Sequence, residues 1–190
     1  MNRFVSGRLY PVFVIFVLVA CGDPTETSGT WQYPLRFGDG KHEVHKVLGP
    51  PHVEESWRET FPASGVAVWF ADDKVSKFTF IGDASSISVG ASTLRTSTEA
   101  ATDETGDYLG EVPSDAKIAF GLTARDTQAT FGKILGQPVK SGKEYSATFR
   151  SVWRKDGYVL DAVFLSVDRV YGGRSFRRGT LVSLDVTRGL

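Results

Sequence analysis

The chain reads as an α+β protein of two tandem units, each a short helix region packed on a three- to four-stranded antiparallel sheet. Two observations predict this. Val44-x-x-Val47-Leu48-Gly49-Pro50-Pro51 returns 87 residues later as Phe131-x-x-Ile134-Leu135-Gly136-Gln137-Pro138, and each copy is followed by stretches in which apolar residues alternate with polar ones. In each copy three apolar residues at i, i+3 and i+4 fall on one helical face. The Gly that follows suits the left-handed conformation that ends a helix, and the Pro beyond it forbids continuation.

Taken in chain order, residues 1–20 read as a signal. Arg3 and Arg8 give a basic start, Val12 to Val19 an apolar run, and Ala20 a small residue before the cut. A membrane span needs about 20 apolar residues, and this run is far shorter. The sequence Leu18-Val19-Ala20-Cys21 resembles a bacterial lipoprotein signal, and the resemblance implies that Cys21 is lipidated and becomes the first mature residue. Cys21 is the sole cysteine, which fits that use. Gly22 after it implies, by the same resemblance, an outer-membrane destination facing the periplasm. Residues 21–34 then read as a tether, since Thr25 to Gly29 is polar and poor in core-forming residues.

The first unit is expected over 35–82, with Asp39 capping its helix and with Val66, Val68 and Phe70 leading through Asp72-Asp73 to Val75, Phe78 and Phe80. Residues 83–115 carry seven acids, one base (Arg95), many Ser and Thr, and almost no large apolar residue from Thr96 to Gly106. They read as an acidic linker or long loop. The second unit is expected over 116–190. Thr123 and Asp126 are spaced like a capping box. Tyr145, Ala147, Phe149 and Trp153 share one face of a strand, and Asp156-Gly157 makes a tight hairpin turn. Tyr158, Leu160, Ala162 and Phe164 alternate, and Val182, Leu184 and Val186 form a last strand.

A helix closed by Leu-Gly-x-Pro before an antiparallel sheet, in tandem, resembles the beta-lactamase inhibitor protein architecture. It is also similar to the small lipoprotein of the outer-membrane barrel-assembly machinery. The likeness covers most of 35–190 in outline and implies a fold whose members bind other proteins. The inhibitor family carries intradomain disulfides that a single cysteine cannot make, so no binding residue transfers by position.

Charge implies neither a nucleic-acid partner nor a bulk anionic surface. Loss of residues 1–20 would take Arg3 and Arg8 from 22 basic residues and none of the 22 acids, leaving a formal charge of −2. The distribution is uneven, with ten bases against five acids over 140–190. No nucleophile elbow or phosphate loop occurs, so the chain is not predicted to be an enzyme, and no cofactor or metal site is predicted. His42, His45 and His52 lie close together, but His42-Glu43-Val44-His45 lacks the zinc-protease spacing, and a fourth ligand would have to come from Glu54 or Glu55. The Asp103 to Asp107 acids lack calcium-loop spacing. A metal- or glycan-interacting protein or a hydrolase using the His42, His45 and His52 region is the alternative.

The expected partner-binding residues are Arg150, Arg154, Tyr158, Arg174, Phe176, Arg177, Arg178 and Trp69, because Trp, Tyr and Arg dominate binding hot spots. Trp69 is set apart by alternating with Val66, Val68 and Phe70. The expected function is a lipid-anchored, non-enzymatic protein-binding module that attaches to the bilayer through Cys21. Its partner would be an envelope or secreted protein, met either as an assembly accessory or as an inhibitor or immunity protein.

Overall fold

In a computed structural model, which describes residues 31–84, 116–145, 147–171 and 173–189, the strands join into one eight-stranded antiparallel sheet. Cys21, the signal, the tether up to residue 30 and the acidic stretch from 85 to 115 lie outside the described residues. The order of elements is α1 (Lys41–Leu48), β1 (Val53–Glu54), β2 (Arg58–Phe61), β3 (Val66–Ala71), β4 (Lys74–Ile81), α2 (Gln128–Leu135), β5 (Lys140–Tyr145), β6 (Thr148–Lys155), β7 (Tyr158–Leu165), β8 (Arg169–Tyr171), β9 (Arg174–Phe176) and β10 (Leu181–Arg188). The sheet runs β1-β2-β3-β4-β10-β7-β6-β5, and β8 and β9 form a separate two-stranded ribbon. The class is α+β, dominated by the sheet.

Strand β10 joins the strands of the two expected units into one continuous sheet. This strand pairs with β4 on one side and β7 on the other. Leu181, Val182, Ser183 and Leu184 are all buried, a run typical of a central strand with both faces covered. Two four-stranded sheets would each leave a bare edge here, and pairing removes both.

Register sorts side chains by face. The row Glu59, Val68, Phe78, Val186, Leu160, Trp153 crosses six strands and faces both helices. Val44 of α1 and Phe131 of α2 are fully buried in this core, and Phe131 packs edge-on to Phe164 and beside Trp153. Trp31 and Tyr33 close the core's rim. Trp31 stacks on Tyr158 and lies 5.2 Å from Phe78, and burial pushes the Tyr33 hydroxyl's pKa up.

Both helices end where the Gly-Pro signature predicts, at Gly49 and Gly136 with φ of 83° and 84°, values that favour glycine. Their starts differ from expectation. Asp39 accepts the Arg36 N–H and so closes the preceding turn, whereas Glu43 reaches back to the Gly40 N–H. These backbone contacts, its own N–H first and then that of Gly40, hold the exposed Glu43 carboxyl below its usual range. Thr123 and Asp126 bond each other in a turn, and the α2 cap is Thr127, which accepts from Thr130. Val47 is exposed, so the α1 face is narrower than the repeat predicts, while Leu48, Ile134 and Leu135 pack on the core.

Candidate functional site

The sheet face turned away from the helices carries polar groups and aromatics, with a small apolar cluster around Leu165 at one end. Its central row is Thr60, Ala67, Thr79, Asp185, Asp161, Val152, Lys140, one residue out of phase with the apolar row. On this face Trp69 stands opposite Arg58 on one side and Lys77 on the other. Trp57, in the turn before β2, lies 5.0 Å from Trp69 between ring centroids. The Arg58 guanidinium sits over both rings, at 5.0 Å from Trp57 and 5.7 Å from Trp69, and donates to Glu55. Lys77 Nζ lies 3.6 Å from the Trp69 ring centre. These are cation–π distances, and they hold four long side chains in one ordered cluster. Trp57 remains 46% exposed.

From Trp69 a chain of hydrogen bonds crosses the sheet. Its indole N–H donates to Thr79 Oγ1 at 2.9 Å, and the Thr79 hydroxyl donates to Asp185 at 2.7 Å. Asp185 also meets Lys77 at 3.5 Å. Beyond it Asp161 binds Arg150 in a two-pronged pair, with Nε to Oδ1 at 2.6 Å and the second prong from Nη2 to Oδ2. That hydrogen bonding, more than the surrounding charge, pushes the Arg150 pKa further up. Glu144 lies 3.8 Å from Arg150. Burial raises its pKa, Arg150 opposes the shift and Asp161 adds to it.

Sequence-predicted residues divide among three places. Trp69, Arg150 and Arg154 share this face, with Arg150 and Arg154 exposed. Tyr158 is on the opposite face, half-buried against Trp31 and Phe37. Arg174, Arg177 and Arg178 are exposed at the β8–β9 ribbon, whereas Phe176 is buried in a second small cluster with Ala84, Ala147, Leu165 and Val182. Phe176 therefore anchors the ribbon, and the eight residues do not form one patch. Trp57, Arg58, Lys77, Asp161 and Asp185 were missed. Strand β2 reads Arg-Glu-Thr-Phe, with no alternation to show which side chains face which way.

The histidines are not gathered around one point. His42 and His52 are exposed, and His45 Nε2 is 2.8 Å from Oε2 of the fully buried Glu59. Lys41 lies 3.2 Å from the other oxygen of Glu59. His52 lines an open groove of about 400 Å³ with Leu48, Pro50, Pro51, Phe61, Pro62 and Ala63. Among the described residues no group of three or more His, Cys, Asp and Glu side chains is placed to hold a metal ion, and no helix is long and apolar enough to cross a membrane. No protein-family model, curated protein or solved structure matches the chain.

Proposed function

We propose that this chain is a lipid-anchored envelope protein, attached through Cys21 to the outer membrane and facing the periplasm, that binds another protein without catalysing a reaction. One observation carries the binding part, the Trp57, Arg58, Trp69 and Lys77 cluster. Trp and Arg in a pre-ordered arrangement are the composition of a binding hot spot, because little side-chain freedom remains to be lost on contact. The mixed charge beside it, from Asp185 and Asp161 to Arg150, supplies specificity more than raw affinity. The partner is an envelope assembly component or a secreted enzyme or toxin.

The same reading takes the fold as two related units. Strands β1-β2-β3-β4 are then answered by β5-β6-β7-β10, the two sets meeting at β4 and β10 in the observed order. The eight-residue helices with Gly49 and Gly136 at equivalent ends support it.

The test is capture from envelope extract by the full chain, repeated with Trp57→Ala. A partner held by the parent chain and lost by the variant at unchanged melting temperature is the expected result. Equal capture by both would overturn the assignment of the site. Labelled palmitate incorporation tests the anchor: Cys21→Ser abolishes it, and incorporation by the variant would refute the lipidation.

A further inference from the structure

The β8–β9 ribbon stands outside the main sheet, between β7 and β10. From Ser166 to Thr180 it carries Arg169, Arg174, Arg177 and Arg178 against the single acid Asp168. All four arginines are exposed. Arg174 is partly committed, lying over the Phe176 ring at 5.1 Å and 3.7 Å from Asp83. Asp168 accepts the backbone N–H of Arg178 at 2.7 Å. Among the described residues no carboxylate is within ion-pair distance of Arg177 or Arg178.

The ribbon also exposes aliphatic side chains. Val170 is 75% exposed and Val167 is 40% exposed. Pairing of Arg169 with Phe176 and of Val170 with Ser175 turns Phe176 inward to the Leu165 and Val182 cluster and leaves Val170 on the outer face. Cations beside outward aliphatics match a negatively charged lipid surface, where guanidinium groups meet phosphates and apolar side chains enter the boundary with the acyl chains.

We infer that the β8–β9 ribbon is a contact surface for an anionic phospholipid bilayer, held by Arg177 and Arg178 and seated by Val170. The inference takes its setting from the lipid-anchor reading. Ten residues from Cys21 to Thr30 would span at most about 35 Å. Trp31 stacks on Tyr158 at one end of β7, and the ribbon follows Leu165 at the other, about 26 Å along an eight-residue strand. A tether of that length lets the ribbon lie on the bilayer that holds the anchor.

The test is co-sedimentation of the full Cys21→Ser chain with vesicles of equal parts phosphatidylglycerol and phosphatidylcholine, and with phosphatidylcholine alone. Every variant shares residues 1–20, so differences report the ribbon, and failure leaves the anchor reading untouched. Binding to the anionic vesicles, weakened by high salt, is expected. Arg177→Gln with Arg178→Gln lowers it roughly tenfold or more, Val170→Ser lowers it less, and Lys133→Gln with Lys140→Gln, equally charge-reducing and also at exposed positions, lowers it less than the arginine pair. Circular dichroism confirms that each variant is folded. Equal binding to neutral vesicles, equal loss in the lysine control, or no binding at all would overturn the inference. If the parent chain ignores vesicles while Arg177 and Arg178 are needed to capture an acidic protein, the ribbon belongs to that protein partner.

Discussion

Asp161 and Asp185 stand directly opposite one another across the ladder between β7 and β10. Like charges in that position repel and destabilise a sheet. Here each is compensated from its outer side, Asp161 by Arg150 and Asp185 by Lys77 and the Thr79 hydroxyl.

Removal of one compensating group exposes the repulsion. Arg150→Ala is expected to lower stability by about 0.5–1 kcal/mol, the scale of an exposed pair, since Arg150 is half-exposed and screened. Adding Asp161→Asn restores most of the loss. Urea denaturation of the two single variants and the double variant measures the coupling of Arg150 to Asp161, and strict additivity would show that Arg150 does not compensate this carboxylate.

Glu144 makes stability depend on pH in the direction opposite to that of a paired carboxylate. Its folded pKa is raised by burial above the unfolded value, so as the pH rises past about 4.5 the folded state keeps a proton that the unfolded state has already lost. Stability therefore falls through that window, and the full cost is present once Glu144 is ionised. Glu144→Gln is expected to raise the melting temperature at pH 7 and to change it little at pH 4. A uniform shift at both would assign the effect to packing.

At α1 the asymmetry lies between one buried carboxyl group, Glu59, and two partly exposed basic side chains, Lys41 and His45. Lys41→Ala with His45→Ala leaves Glu59 buried without compensation and is expected to cost about 3–5 kcal/mol. Glu59→Leu costs less, because Lys41 and His45 are 25% and 35% exposed and reach water. Denaturation midpoints rank the two, and the reverse order would refute the account.

Much of the framework is legible in the residues. Gly49 and Gly136 mark helix ends because glycine followed by proline is a local constraint that tertiary contacts seldom override. Phe149, Trp153, Leu160 and Phe164 declare their face by alternation, and the structure gives them to one core. Helix starts were misread because Asp39 and Thr123 have the right chemistry for a cap, and the same chemistry closes an ordinary turn. Joining of the halves was hidden because Val182, Leu184 and Val186 state only that a strand is covered, not by which neighbours. Of the site, Trp69 was visible as a large aromatic out of phase with its strand. Trp57 and Arg58 were not, since their role depends on standing across from Trp69, a relation set by register. Phe176 was misleading for the opposite reason: its place among arginines suggested a surface, but the ribbon turns it inward.

Strand β10 comes after both β4 and β7 in the chain, yet it lies between them in the middle of the sheet. Before residues 181–188 leave the ribosome, β4 and β7 have no common neighbour and each ends a half-sheet in unpaired backbone. Such edges invite pairing with other chains. Loss of residues 181–188 would thus cost more than one strand. It would release two incomplete halves, each open to aggregation and proteolysis, so that only a chain carrying β10 yields a molecule able to persist.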